Sequence, residues 1–240
     1  MSDKLVIIPT YNEKENIEAI IHAALSAEKM FDVLIVDDSS PDGTNGIVKR
    51  LIPAYNGRLH LEIRTEKDGL GRAYVHGFKW ALANNYEYIF EMDADFSHNP
   101  NDLPRLHQAL VDGADLAIGS RYCNGVNVVN WPMNRVLLSY FASKYVRIIT
   151  NLPVHDATAG FVGYSANVLK SLDLDKIKFK GYGFQIEMKY KTWIKKFKLK
   201  EVPIIFTDRT LGESKISSDI IGEAVFGVIS LRLRNIFGKL

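Results

Sequence analysis

The stretch Tyr88-Ile-Phe-Glu-Met-Asp-Ala-Asp-Phe-Ser97 runs mostly apolar residues into two carboxylates separated by one alanine. In an extended chain alternate side chains share a face, so Asp93 and Asp95 project the same way from the C-terminal end of a buried strand. Two carboxylates on one side can hold a hard divalent cation, which is most useful where it bridges phosphate oxygens. Asp-x-Asp is a short pattern, and the same residues could simply cap the next helix. Three other stretches share its chemistry: Pro9-Thr-Tyr-Asn-Glu13, Asp37-Asp38 and Arg121. Glu13 and Asp38 could accept hydrogen bonds from nucleoside hydroxyls or base nitrogens, whereas the planar fork of Arg121 would counter phosphate charge.

These residues need a scaffold that gathers them on one side, and the apolar pattern predicts one. Leu5 to Ile8 reads as a strand, followed by a helix with Ile17, Ile20, Ile21, Ala24 and Leu25 at helical spacing. Asn12 and Glu15 have capping-box spacing at its start. Strands are predicted at Val33 to Val36, Leu59 to Ile63, Tyr88 to Met92 and Leu116 to Gly119. Between them lie helices running to about Leu51, from Gly71 to Asn84, and through Leu103, Leu106 and Leu110. Strict alternation predicts a parallel sheet wrapped by helices, with every strand ending on one rim, where open α/β sheets bind ligands.

After about residue 123 the alternation stops. Pro132 to Thr150 reads as an amphipathic helix carrying Arg135, Ser139 and Ser143 along one line, and Phe161 to Tyr164 as a further strand. Lys178 to Lys200 holds eight lysines against one acid, Glu187. Such a run is either a solvated helix face or a segment drawn to an anionic membrane. Ile216 to Phe237 reads as a helix apolar round most of its circumference, with Asp219, Glu223, Ser230 and Arg234 on a narrow polar stripe. It either packs on the sheet domain or a partner, or lies in a membrane interface.

A chain of 240 residues, 47% hydrophobic and 24% charged, suits one core domain with an appendage. A formal net charge of +2 demands no nucleic-acid partner. One cysteine, Cys123, excludes an internal disulfide and fits a reducing compartment. Neither a signal-peptide core nor an apolar run of ~18 residues is evident, so the expected location is cytoplasmic, peripheral on the cytosolic face of a membrane. Gly69-Leu-Gly71 follows the third strand and is succeeded by Tyr74 where a dinucleotide fingerprint wants its third glycine, so it reads as a turn.

In order along the chain stand Val6-Ile-Ile-Pro-Thr-Tyr-Asn-Glu13, Val36-Asp-Asp-Ser-Ser-Pro-Asp-Gly-Thr44, Gly69-Leu-Gly-Arg-Ala73, Met92-Asp-Ala-Asp-Phe-Ser-His98 and Gly119-Ser-Arg-Tyr122. Together with Phe206-Thr-Asp-Arg-Thr-Leu-Gly-Glu-Ser-Lys215 they resemble the family 2 glycosyltransferases, and within these the polyprenol (dolichol) monophosphomannose synthases of the type without transmembrane helices. The resemblance implies an α/β GT-A fold, with a catalytic domain over 1–215 and a C-terminal amphipathic helix over 216–240. The nucleotide-sugar half would cover about 1–122 and the acceptor half about 123–215. It implies Mg2+ or Mn2+, GDP-mannose as donor, a polyprenyl phosphate as acceptor, and a β-mannosyl phosphate formed by inversion.

Carried onto this sequence, the family's roles would have Pro9, Tyr11, Glu13, Val36 and Asp38 line the nucleoside site. Asp93, Ala94 and Asp95 would meet the diphosphate and metal, with Asp95 the foremost direct ligand. Arg121, Arg209 and Lys215 would hold phosphates, and Arg135 and Ser139 look like acceptor-phosphate contacts. Asp93, Asp95, Arg121 and Arg209 form the implied catalytic set. Some members carry a metal-ligating glutamine where Ser97 stands here, so a hydroxyl would complete the ligands. Other members continue into transmembrane helices, so membrane access here would come from amphipathic segments or a small membrane-anchoring subunit. Glucosyl transfer from UDP-glucose and a non-catalytic nucleotide-sugar-binding subunit remain alternatives. The acceptor phosphate is already anionic, so no strong general base is expected.

Overall fold

Residue alternation along the first strand explains how the central sheet is covered on both faces. The computed structural model describes residues 2–27, 31–181, 183–208 and 218–238, with side chains for all of these except 218–225. Strand β1 (Lys4–Thr10) sends Leu5 and Ile7 into one apolar core and Val6 and Ile8 into the other. A two-residue period gives this division wherever helices cover both sides. Helix α1 (Ile17–Ala27) buries the five apolar residues read at helical spacing. It begins later than the Asn12/Glu15 spacing suggests. Asn12 is left-handed (φ 57°) and its N–H is donated to Ser40 Oγ, so a tertiary bond between two loops has displaced the local cap.

The chain continues through β2 (Phe31–Asp37), α2 (Thr44–Leu51), β3 (Leu59–Ile63), α3 (Leu70–Ala83), β4 (Tyr88–Glu91), α4 (Leu103–Val111) and β5 (Leu116–Ser120). It then passes through β6 (Val128–Val129), α5 (Met133–Thr150), β7 (Val162–Ser165), α6 (Ala166–Ser171), α7 (Gly183–Ile194), β8 (Leu199–Pro203), β9 (Phe206–Thr207) and α8 (Ser218–Ile236). The seven-stranded sheet has the order β3-β2-β1-β4-β7-β5-β8. It is not wholly parallel. β7 inserts antiparallel between β4 and β5, because the chain returns from α5 by way of the rim itself. The other strands run one way, so the exits of β1, β2, β4 and β5 share the rim expected of them.

Two later segments sharpen the sequence reading. The lysine run is divided: Lys178, Lys180, Lys195, Lys196, Lys198 and Lys200 are exposed, whereas α7 crosses the core with Lys189 and Lys191 buried among Phe184, Ile186, Met188 and Tyr190. Helix α8 packs with α5 and α7, burying Val228 and Leu231, while Phe226, Leu233, Ile236 and Phe237 stay exposed. Asp219 and Glu223 of the expected polar stripe fall among the side chains outside the description. Among the described residues no helix is long and apolar enough to cross a membrane. Gly71 is required by packing: a Cβ there would lie 2.7 Å from the Phe179 carbonyl oxygen and 2.8 Å from the Phe184 ring.

Candidate active site

The exits of β1 and β2 are tied together before any ligand arrives. Asp37 is fully buried and accepts from Thr10 Oγ1 (2.8 Å), Ser40 N (2.9 Å) and Ser40 Oγ (2.6 Å), so it is a loop organiser. Glu13 N donates to Thr44 Oγ1 at 3.0 Å. Asp38, the predicted nucleoside contact, is buried and ion-paired with Arg64 at 2.8 Å. Burial pushes its carboxyl up, and Arg64 partly opposes that shift. Pro9, Tyr11 and Glu13 are partly exposed beside buried Val36, and Lys67 lies 3.7 Å from the Tyr11 ring centroid. The five predicted nucleoside residues thus sit at the ends of two paired strands and on the loops that follow them.

The third loop starts one residue after β4. Phe96 adopts a left-handed backbone (φ 60°), and the turn brings Ser97 N to Asp95 Oδ1 at 3.0 Å. Asn12 and Ser39 (φ 53°) are left-handed in the other two loops. Each such residue costs about 1 kcal/mol, a strain that the surrounding hydrogen bonds hold in place. Asp95 and Ala94 are buried and Asp93 is partly exposed. Ser97 is 3% exposed, and its hydroxyl is buried without a hydrogen-bond partner among the described residues. Two carboxylates and an orphaned hydroxyl form an oxygen donor set that fits a hard divalent cation, so Asp93, Asp95 and Ser97 could hold one. No group of three or more His, Cys, Asp or Glu suited to a metal exists among the described residues, so the hydroxyl matters to that fit.

His98, which the sequence reading passed over, adjoins this loop. It is fully buried, stacks on Phe161 (4.9 Å, 16°), and its Nδ1 accepts from Asp93 N at 3.2 Å. Burial pushes its pKa down to about 4, despite the opposing influence of Asp95. It is therefore neutral, with the proton on Nε2, and serves as a wall rather than a charge.

Opposite the carboxylates lies a cluster of arginines held by acids and aromatic rings. Arg121 Nε and Nη2 donate to Asp156 at 2.7 and 2.6 Å, and Nη2 also donates to Thr158 Oγ1 at 2.9 Å. Asp156 is wholly buried; burial pushes its carboxyl up, but Arg121 more than offsets this and holds it below the ordinary range. Arg135 Nη1 donates to both Asp208 oxygens at 2.8 Å, and its guanidinium lies 4.1 Å from the Trp131 ring centroid. Trp131 and Phe206 also flank Arg121, at 5.5 and 5.6 Å. Phe206 meets His98 edge-on at 5.4 Å, and Thr207 N donates to Ser97 O at 3.3 Å. The loop after β4, the β6–β9 ribbon and the start of α5 are thereby one assembly. Ser139 lies one helical turn beyond Arg135. Arg209 and Lys215 lie outside the described residues.

Beneath the loops is a polar network that no motif announced. Glu91, the last residue of β4, is fully buried and accepts from Gln185 Nε2 (2.6 Å) and Tyr164 OH (3.2 Å). Lys189 Nζ donates to Ala159 O (2.6 Å), Gln185 Oε1 (3.2 Å) and Gln185 O (3.3 Å). Burial pushes Glu91 up to about 8 and Lys189 down to about 8. Only an acid inside an otherwise apolar strand and a lysine one helical turn from a glutamine could have hinted at this pairing.

A mostly parallel sheet with a nucleotide-type rim, a carboxylate pair and an opposed arginine cluster is common to many transferases, and likeness to known proteins decides among them. The model of the family described as "Glycosyl transferase family 2" matches residues 5–173. The chain belongs to glycosyl transferase family 2. Within the family it is 46% identical over 230 residues to a polyprenol monophosphomannose synthase of Mycolicibacterium smegmatis, covering 96% of this chain and 87% of that one. It is 48% identical over 224 residues to an undecaprenyl-phosphate mannosyltransferase of Micrococcus luteus, covering 93% and 91%. Its fold is the GT-A fold, as glucosyl-3-phosphoglycerate synthase from Mycobacterium tuberculosis illustrates. That structure, a complex with Mn2+, UDP and product, aligns at TM-score 0.66 and 20% identity over 96% of this chain and 78% of its own. A mannosyltransferase from Pyrobaculum calidifontis, in complex with GDP-Man and Mn2+, aligns at TM-score 0.60 and 16% identity over 99% and 72%.

Proposed function

We infer that this family 2 glycosyltransferase moves mannose from GDP-mannose to a polyprenyl phosphate, with inversion, giving polyprenyl β-D-mannosyl phosphate. The observation that carries the reading is near-full-length identity of 46% and 48% to two enzymes whose names specify that sugar and that class of acceptor. The rim agrees with it chemically, because transfer between two phosphates needs two anion-binding regions, and an acidic donor loop faces a basic cluster here. UDP-glucose is the less favoured donor, since the glucose-transferring neighbour shares only the fold at 20% identity.

On this reading Pro9, Tyr11, Glu13, Val36 and Asp38 receive the nucleoside, and Asp93, Ala94 and Asp95 meet the diphosphate. Asp93, Asp95 and Ser97 hold Mg2+ or Mn2+, whose charge, when bound, stabilises the departing diphosphate. The chain's own residues do the rest. Arg121 and Arg135, fixed by Asp156 and Asp208, keep positive charge where a second anion approaches, so phosphate repulsion does not dominate the encounter. Ser139, Arg209 and Lys215 add donors for the acceptor or leaving phosphates. His98, neutral and stacked, excludes water beside Asp93 and takes no proton from an acceptor that needs none removed. The division at residue 122 follows the same roles, donor before it and acceptor after it, except that Arg121 reaches from the first half to Asp156 in the second; the helix over 216–240 is appended.

The acceptor is a lipid, and the surface beside the arginines suits one. Helix α5 exposes Met133, Leu137, Leu138 and Phe141 within two turns of Arg135, and α8 adds Phe226, Leu233 and Phe237. Contact with a cytosolic membrane face through these helices accounts for so much exposed apolar surface, with or without a small anchoring subunit. The deciding assay supplies radiolabelled GDP-mannose or UDP-glucose, a polyprenyl phosphate and Mn2+ or Mg2+. Label from GDP-mannose should become lipid-extractable. Label from UDP-glucose alone would replace the donor, and no lipid label from either would leave a nucleotide-sugar-binding role.

A further inference from the structure

The donor carboxylates and the acceptor arginines stand on different segments, and a reaction between two bound anions depends on the separation of these two groups. What sets that separation lies under the site. Glu91 ends β4 two residues before Asp93. Its carboxyl is bound by Gln185, whose carbonyl oxygens in turn accept from Lys189. The ammonium of Lys189, with no exposed surface, reaches across to the Ala159 carbonyl at 2.6 Å. Ala159 belongs to the loop in which Asp156 and Thr158 grip Arg121. The same loop touches the donor side, since a Cβ on Gly160 would lie 4.0 Å from Asp93 Oδ2 and 3.6 Å from His98 Cε1. One lysine and one glutamine on α7 therefore join the strand exit that presents Asp93 to the loop that grips Arg121.

We propose that Lys189, acting through Gln185 and Glu91, is a positioning residue that fixes the 156–160 loop, and with it Arg121, against the carboxylates at the exit of β4. It touches no substrate. A buried ammonium that served stability alone would be an inefficient choice, because an apolar side chain of similar volume generally stabilises a core as well or better. Two directional donors on one rigid helix, Lys189 Nζ to the Ala159 carbonyl and Gln185 Nε2 to Glu91, instead hold a loop and a strand exit in register, and a misplacement of about 1 Å at reacting groups can cost ~100-fold in rate.

The proposal rests on the mannosyl-transfer reading, so wild-type transfer is measured first; its absence would sink both. Lys189→Met and Gln185→Met are then compared with wild type for GDP-mannose affinity in the presence of Mn2+, for KM of the polyprenyl phosphate, for kcat and for Tm. The expected result is donor affinity within about twofold, acceptor KM raised about tenfold and kcat reduced, with Lys189→Arg recovering part of the loss. The Lys189→Met effect should shrink sharply in an Arg121→Ala background, because both changes disturb one contact set. Donor and acceptor parameters falling together, additive effects with Arg121→Ala, or a lowered Tm with unchanged kinetics would overturn the proposal. So would failure of both methionine variants to fold, which would make the network structural only.

Discussion

The two sides of the rim solve opposite electrostatic problems. On the proposed donor side, acids are kept together: Asp37 is held by hydroxyls and amides, Asp38 is paired with Arg64, and Asp95 accepts from a local backbone N–H. On the acceptor side, arginines are kept together by buried or half-buried acids and by the faces of Trp131 and Phe206. On the proposed reading a donor loop can present carboxylates because a cation and a diphosphate restore the balance, whereas the acceptor side must hold its cations ready for an anion. The difference teaches that the arginines are pre-oriented at the cost of donors given to Asp156 and Asp208, while the carboxylates are arranged by short turns.

Removing the donor-side acid that defines the loop should have the largest effect. Asp95→Ala is expected to lower mannosyl transfer about 1000-fold or more while leaving Tm within a few degrees, because it removes charge stabilisation of the leaving group. Lipid-extracted label measures the first and thermal unfolding the second; near-normal turnover would remove Asp95 from the metal site. Asp156→Ala tests the other side and should act on both folding and catalysis. It leaves Arg121 buried without its carboxylate, for an expected loss of about 3 kcal/mol in denaturant unfolding. A loss within experimental scatter would mean that the pair does not organise the loop.

Arg135→Ala is more exposed and should spare the fold. Acceptor KM should rise about tenfold with donor affinity unchanged, and a change confined to the donor would reverse the assignment of the two sides. The Asp156 carboxyl, held low by Arg121, contributes stability that is present above its unfolded value and lost as pH falls through its folded one. Wild type should therefore lose more stability than Asp156→Asn as pH falls below about 4, and parallel curves would deny the shift. Smallest of all, Ser97→Ala removes a hydroxyl with no protein partner, so stability in metal-free buffer should change by less than about 0.5 kcal/mol. Mn2+ affinity, followed by titration calorimetry, should still fall; unchanged affinity would take Ser97 out of the ligand set.

Much of the donor side was legible because its signals are short. Asp93 and Asp95, the apolar strands and the helical periods lie within windows of a few residues, and the β1, β2 and β4 exits fall where the alternation put them. The Asn12/Glu15 cap failed because Ser40, 28 residues away, offered a better partner. The lysine run held only in part, since six of its eight lysines are exposed but Lys189 and Lys191 are buried, and charge counted along a chain does not reveal which ammoniums find carbonyls and carboxylates inside the core. His98 was read as unremarkable since a lone histidine carries no periodicity, and only its stack on Phe161 and its bond to Asp93 N give it a place.

By itself the sequence determined the α/β class, the rim and the residue types that meet there, because side-chain period and turn chemistry act over a few bonds. Only the tertiary structure decided that β7 runs antiparallel, that Arg121 is held by Asp156 and Arg135 by Asp208, and that Lys189 reaches Ala159 beneath them. Those partners are 35, 73 and 30 residues apart. Contacts at such separations depend on how sheet and helices close around one another, and no local propensity encodes that.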